Sequence, residues 1–166
     1  MVNPRYRRLF RLLVAGLLVL FPLLQFIPGP DRTNPPVTGE PPWDTPETRA
    51  MFVTACADCH SNQTVYPWYS TIAPVSWLVA HDVKEGREHF NISTWDRSTR
   101  GGEDAAEEVQ RGSMPDGLYL LMHGDANFTA AEKKKFVEGL RRTFSLTAPD
   151  PAAGGRADHE KPEGVD

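Results

Sequence analysis

The pentapeptide Cys56-Ala57-Asp58-Cys59-His60 constrains this chain more than any other feature, because it contains both of the cysteines in the 166 residues. Two thiols three positions apart on one turn can add to the two vinyl groups along one edge of a porphyrin. The adjacent histidine can then place its imidazole beneath the iron. The motif therefore predicts one covalently attached haem, held by Cys56 and Cys59, with His60 as the proximal iron ligand.

Three other interpretations of the cysteines stay open. A structural disulfide between Cys56 and Cys59 suits an exported protein but gives His60 no role. A thioredoxin-like redox pair is expected beside a βαβ unit. A zinc site needs further ligands, such as a second Cys-x-x-Cys, and the sequence has none. Haem attachment is the interpretation that uses all three residues.

The N-terminus has the layout of an export signal. Four arginines precede an apolar stretch from Leu12 to Ile27, and no acidic residue lies before Asp31. Residues 25–30 offer bulky side chains and proline instead of the Ala-x-Ala-like pattern of a cleavage site. We therefore predict that residues 1–29 form an uncleaved signal anchor, a single transmembrane helix in a bacterial cytoplasmic membrane. The arginines stay on the cytoplasmic side, so the rest of the chain is expected on the periplasmic side.

Two segments flank the compact part of the chain. Residues 30–44 are rich in proline and predict a semi-extended linker that holds the domain away from the membrane. Residues 147–166 are rich in proline, glycine, alanine and charge, and predict a disordered tail. Residues 45–146 between them have the length of one domain.

Two helices bound this predicted domain. Thr45 followed by Pro46 is typical of an N-cap with proline at the first helical position. The sequence Thr129-x-x-Glu132 is a capping box that starts the last helix. Apolar residues at helical spacing predict the buried face of that last helix. These residues are Phe136, Val137, Leu140 and Phe144.

Two further helices are predicted between them. One runs from Ser76 towards Gly86, and the other from about Glu103 to Arg111, with Gly112 as its stop. Acidic residues first and Arg111 last complement the helix dipole. No segment alternates apolar and polar residues as a half-buried strand would. The chain is therefore predicted to be all-α, a small helical domain around one haem, preceded by the N-terminal transmembrane helix.

The second axial ligand of the iron is predicted to be Met114. It precedes a proline in a loop before the last helix, and a thioether is a usual ligand of cytochrome c iron. His81 is the main alternative and would give a bis-histidine site. His123, Met122 and an open position are further alternatives.

An aromatic segment from Tyr66 to Trp77 follows the motif. Its indole N–H and phenol O–H groups are able to reach haem propionates. A hydrophobic cluster beneath the loop is the other interpretation. The predicted haem contacts are Tyr66, Trp68, Tyr69, Pro74 and Trp77. Arg87 and Arg97 are also candidate partners for the propionates, although arginines are common on surfaces.

Several longer strings occur in the order known from one protein family. They are Cys56-Ala57-Asp58-Cys59-His60-Ser61-Asn62-Gln63-Thr64-Val65-Tyr66-Pro67-Trp68-Tyr69-Ser70, His81-Asp82-Val83-Lys84-Glu85-Gly86-Arg87, Met114-Pro115 and Tyr119-x-x-x-His123. Over residues 45–140 the chain resembles the bacterial haem-binding domain family, which is similar to cytochrome c and often carries an N-terminal membrane segment.

The resemblance implies a cytochrome c-like helical domain with covalent haem. Because His81, Met114 and His123 all occupy positions typical of the family, the resemblance does not select the second iron ligand. The string His123-Gly124-Asp125-Ala126 departs from the expected His-Pro-Glu-Ala. That departure puts a role for an acidic side chain there in doubt.

The expected function is electron transfer by a single haem. No nucleophile or acid–base pair flanks the motif, so no enzymatic activity is expected. All 22 acidic residues lie at or after Asp31, a distribution that disfavours nucleic-acid binding and favours a basic redox partner. The alternative function is a haem-based sensor, or small-ligand binding module, with a displaceable second ligand.

Overall fold

The computed structural model describes residues 3–96 and 102–145. These residues form seven α-helices and three short 3₁₀ turns without a β-strand, which confirms the all-α class. The helices are α1 (Pro4–Leu24), α2 (Pro46–Ala55), α3 (Ala57–His60), α4 (Val75–His89), α5 (Ala105–Arg111), α6 (Gly117–Met122) and α7 (Ala130–Ser145). The predicted tail, residues 147–166, and the candidate Arg97 lie outside the described residues.

The first helix, α1, is capped at its start by Asn3, whose side chain accepts a hydrogen bond from the Arg5 N–H. Pro4 occupies the first helical position, where its missing N–H costs nothing. None of the side chains of α1 is buried. Within the described residues, no helix is both long enough and apolar enough to cross a membrane. The predicted transmembrane helix in residues 1–29 is therefore not supported.

The proline-rich segment 30–44 contacts the helical body, although it was predicted to hold the domain away. The N–H groups of Thr38 and Gly39 donate to the Ser93 carbonyl at 2.8 and 3.1 Å. The ring of Trp43 packs on Phe52 with centroids 5.1 Å apart. Composition predicts the lack of helix and strand here, but not these backbone bonds, because their acceptors lie far along the chain.

The two helices that bound the domain begin where the sequence predicts. The Thr45 side chain accepts from the Thr48 N–H, and Pro46 opens α2. Thr129 and Glu132 form the predicted capping box, with each side chain accepting from the other residue's backbone N–H. Gly139 of α7 lies directly against the Thr48 side chain, so the absent Cβ allows α2 and α7 to cross closely.

The remaining helices differ from the prediction in length and number. Helix α4 runs to His89, three residues beyond Gly86. Helix α5 ends as predicted at Gly112, whose φ of 81° lies in the left-handed region that favours glycine. The prediction missed α3 and α6, because helices of four and six residues are too short to show an apolar period.

The hydrophobic core lies between α2, α5, α7 and the segment that follows α4. The four predicted core residues of α7 are all buried there. Burial of such aromatic and aliphatic side chains is the main force that holds small helical domains together. The buried core residues are Phe52, Ala57, Phe90, Ile92, Trp95, Ala106, Val109, Phe136, Val137, Leu140 and Phe144.

Candidate functional site

The two cysteines lie on the tight turn between α2 and α3, which we call the cysteine turn (residues 56–60). The Cys56 N–H donates to the Phe52 carbonyl and closes the last turn of α2. The Cys56 carbonyl then accepts from the N–H groups of Cys59 at 3.2 Å and His60 at 2.9 Å. Both thiols are free and half-buried. One helical turn therefore presents both sulfurs and the histidine from the same short stretch of backbone.

The imidazole of His60 is buried, with 9% of the residue exposed. Its Nδ1 lies 3.2 Å from the Phe90 carbonyl oxygen, and the two rings stack with centroids 4.3 Å apart. A carbonyl oxygen only accepts hydrogen bonds, so Nδ1 carries the proton and Nε2 keeps its lone pair. Burial lowers the pKa of His60 and favours the neutral form. A neutral histidine oriented through Nδ1 is the form that binds a metal through Nε2.

Helix α4 approaches the cysteine turn at Gly86. A Cβ at this position would lie 2.5 Å from the Cys59 carbonyl oxygen and 2.9 Å from its Cβ. Only a residue without a side chain permits that backbone contact. Gly86 is therefore a packing position inside α4 and not the end of the helix.

The pKa values of the two thiols lie above their usual range. Burial, followed by the charges of Asp82 and Asp58, raises the pKa of Cys59 to about 11. Burial and the neighbouring Cys59 also raise the pKa of Cys56. Redox-active cysteine pairs need a lowered pKa. The structure therefore gives no support to a thioredoxin-like pair.

The zinc interpretation of the two cysteines requires further ligands near them. In residues 3–96 and 102–145, no three histidine, cysteine or acidic side chains are placed to hold a metal ion. Structural zinc sites use four such ligands. The cysteine turn as described does not offer that set.

Arg87 secures the loop that follows the cysteine turn. Its guanidinium donates to the Ser61 carbonyl at 2.8 Å and to the Thr64 hydroxyl at 2.9 Å. It also donates to the Thr33 carbonyl and the Asn34 side chain, in the proline-rich segment. Arg87 was a candidate partner for a propionate. These four bonds occupy most of its five N–H donors, so its main role is structural.

The predicted haem contacts flank the turn with differing exposure. Trp68 is 74% exposed and meets Tyr69 edge-on, with centroids 5.8 Å apart. Tyr66, Tyr69 and Trp77 are half-buried, and Pro74 is exposed. Whether these residues contact a haem stays a prediction.

The candidates for the second iron ligand lie on different elements. Met114 is 43% exposed, and its N–H donates to the carbonyl of Glu108 in α5. His81 is exposed on α4, with Nε2 3.2 Å from a Glu85 carboxylate oxygen. His123 is half-buried just after α6. The arrangement does not select among them, so Met114 stays the prediction.

Large apolar side chains remain exposed on the elements around the cysteine turn. Val65 and Trp68 follow the turn, and Leu118, Leu121 and Met122 belong to α6. Helix α6 is joined to the turn by a hydrogen bond between Tyr119 and Asp58. Two thiols and a buried, neutral histidine on one turn are the groups that hold a haem. Exposed apolar side chains on the neighbouring elements also suit a flat, largely apolar porphyrin, so the residues present fit a haem.

A family model described as a haem-binding domain matches residues 19–142. The chain belongs to the haem-binding domain family. The match includes the cysteine turn, α4, Met114 and His123, and it covers most of the described body. No curated protein and no solved structure matches this haem-binding domain significantly.

The structure gives three residues of this haem-binding domain a role that the sequence pattern does not indicate. Phe90 orients His60 through its carbonyl oxygen, which has no sequence signature. Gly86 lies near the end of the predicted helix, but α4 continues past it to His89 and uses it for close packing. Tyr119 contacts the cysteine turn. The four-residue spacing from Tyr119 to His123 was the available signal, because such residues lie on one helix face.

Proposed function

We propose that this protein is a c-type cytochrome domain with one haem that serves electron transfer. The Cys56 and Cys59 thiols would bond to the two haem vinyl groups, and His60 Nε2 would be an axial ligand of the iron. The observation that carries the proposal is the bond from His60 Nδ1 to the Phe90 carbonyl, because it leaves Nε2 as the free nitrogen.

Each residue has a defined part in this proposal. A bound haem supplies one-electron exchange between ferrous and ferric iron. The thiols hold it in register with the turn, and the Phe90 carbonyl fixes the orientation of His60. The apolar residues of α6 and of the loop after the turn would exclude water from one face. Limited exposure of this kind raises the reduction potential of a haem.

Met114 is proposed as the second axial ligand, with His81 as the alternative. A thioether ligand favours ferrous iron and gives a six-coordinate centre suited to electron transfer. A gas-binding or sensor module is the second candidate function. The exposure of Met114 is the observation in its favour, since a weakly held thioether is easily displaced by a small ligand.

We also propose that α1 attaches the domain to the outer face of the cytoplasmic membrane. Its basic first turns and exposed apolar residues from Leu12 onward support that attachment. The test washes membranes from cells that express the whole chain, first with high salt and then with carbonate. We expect the protein to stay in the membrane pellet after both washes. Release by high salt alone would contradict the proposal.

The attachment itself is tested by covalent retention of haem. The whole chain is expressed in a host that matures c-type cytochromes, and non-covalent haem is removed with acid and solvent. We expect haem to stay with the denatured polypeptide of the native chain. Cys56→Ser and Cys59→Ser should each retain one thioether and show a shifted pyridine haemochrome band, and the double variant should retain none. Equal haem loss from the native chain and the double variant would overturn the proposal.

The second ligand is tested with a matched pair of exposed methionines. Met114→Ala should abolish the long-wavelength ferric band of methionine ligation, whereas Met122→Ala should keep it. A native spectrum without that band moves the assignment to His81 or an open site. Rapid carbon monoxide binding by the native ferrous protein would favour the sensor.

A further inference from the structure

The Tyr119 hydroxyl lies at the cysteine turn, although Tyr119 itself belongs to α6. Its oxygen is 3.0 Å from Asp58 Oδ2 and 3.2 Å from the Thr54 carbonyl oxygen. The single hydroxyl hydrogen is shared between these two acceptors, of which the carboxylate makes the stronger bond. Asp58 Oδ1 accepts from the Val65 N–H at 2.8 Å. One carboxylate within the Cys-x-x-Cys-His motif therefore joins α6 to the loop that follows the motif.

The ring of Tyr119 also organises the end of α6. It stacks on His123 with centroids 3.9 Å apart and an interplanar angle of 9°. His123 Nδ1 lies 3.0 Å from the Tyr119 carbonyl oxygen. Tyr119 and His123 are thus held as one unit, and that unit is joined to the cysteine turn through Asp58.

Apolar packing contributes little to the placement of α6. None of its residues is buried, and Leu118, Leu121 and Met122 are 63%, 76% and 54% exposed. Exposed side chains gain little from the hydrophobic effect, so the polar bonds of Tyr119 have a large share in orienting the helix. The start of α6 is capped by Asp116, two residues after Met114. The chain at Met114 is therefore fixed on one side by α5, through the Glu108 carbonyl, and on the other side by the orientation of α6.

We propose that Tyr119 is a positioning residue of the haem site. Through its hydrogen bond to Asp58 it holds α6, and with it the segment that carries Met114, against the cysteine turn. This inference rests on the proposed function, because positioning a second ligand has meaning only where His60 binds iron. It also gives Asp58 a role, because this carboxylate within the Cys-x-x-Cys-His motif accepts the hydrogen bond from Tyr119.

The test compares Tyr119→Phe with Tyr6→Phe in the full-length holoprotein. Tyr6 is 67% exposed on α1 and serves as the matched loss of one hydroxyl. We expect Tyr119→Phe to keep its covalent haem but to bind carbon monoxide at least tenfold faster in the ferrous state, with a weaker methionine band. Tyr6→Phe should match the native protein. The rate of carbon monoxide binding depends on whether any protein side chain occupies the second ligand position of the iron. It therefore remains informative if the native spectrum lacks the methionine band.

Equal carbon monoxide rates in the two variants would overturn the inference, and so would fast binding by the native protein, which would then hold no second ligand. Loss of haem on extraction from the native protein and from both variants would be a different outcome, because it would contradict the proposed function itself.

A double-variant cycle with Asp58→Ala adds a second criterion. The combined change in rate should be no larger than the larger single change, and additive effects would contradict a shared hydrogen bond.

Discussion

The Nδ1 atom of His60 lies 3.2 Å from the carbonyl oxygen of Phe90, and the two rings stack with centroids 4.3 Å apart. The hydrogen bond uses the main chain of Phe90, whereas the stacking uses its side chain. A substitution at this position therefore separates the two contributions. The main-chain bond orients the imidazole, and the ring of Phe90 packs against it within the core.

We expect Phe90→Leu to retain covalent haem and to lose about 1–3 kcal/mol in the free energy of unfolding, because a buried ring is replaced by a smaller side chain. The reduction potential should also change, since water approaches His60 more easily. Urea denaturation and a redox titration measure both quantities. Phe128→Leu is the control, because Phe128 packs on Phe136 at 5.6 Å on another part of the core. Equal shifts in potential for both variants would contradict a specific role for the Phe90 ring.

Gly86→Ala should destabilise the protein by about 1–3 kcal/mol, because the new methyl group would meet the backbone of Cys59. It should also lower the yield of haem-loaded protein, since relief of the clash moves α4 from the cysteine turn. Thermal unfolding and the ratio of haem to protein measure these effects. Gly124→Ala is the control, because nothing lies within 4 Å of a Cβ there. A melting temperature for Gly86→Ala equal to that of Gly124→Ala would refute the close approach.

Arg87→Lys should cost about 1–3 kcal/mol in unfolding free energy, because an ammonium group cannot reproduce the four directed bonds of the guanidinium. It should also speed proteolysis in residues 30–44, which Arg87 binds through Thr33 and Asn34. Arg49→Lys, at an exposed ion pair with Glu40, should change stability by less than about 1 kcal/mol. Unchanged cleavage of that segment in Arg87→Lys would contradict the structural role.

The capping box of α7 predicts a dependence of stability on pH. Hydrogen bonds from Thr129 lower the pKa of Glu132 in the folded protein. The unfolded chain, with a glutamate pKa of about 4.3, therefore binds the proton more readily, and stability falls as the pH decreases through this value. The difference in urea midpoint between native protein and Glu132→Gln should shrink between about pH 6 and about pH 3.5.

Glu138→Gln is the control for the capping box, since it removes a charge from the same helix outside the box. Because Glu138→Gln leaves the capping-box bonds in place, their loss in Glu132→Gln should set the two variants apart above about pH 6. An offset for Glu132→Gln that stays constant across the same pH range would refute the assignment.

The sequence by itself determined the features that depend on neighbours in the chain. Thr45 and Pro46 start α2, and Thr129 and Glu132 start α7, because caps bond to residues two or three positions away. The buried face of α7 was readable because apolar residues recur at the helical period. The Cys-x-x-Cys-His motif predicted a haem site for the same reason, since all its chemistry lies within five residues.

Only the tertiary structure decided the contacts that join distant residues. Tyr119 meets Asp58 across 61 positions, and Nδ1 of His60 meets a carbonyl oxygen 30 positions away. Every residue except proline has the same main-chain donor and acceptor, so no sequence pattern reveals which carbonyl a histidine will find. The sequence predicts a helix that runs towards Gly86 but does not assign this glycine a role, because glycine serves both to end helices and to allow close backbone contact. The folded chain decides between these uses by placing Cys59 against it.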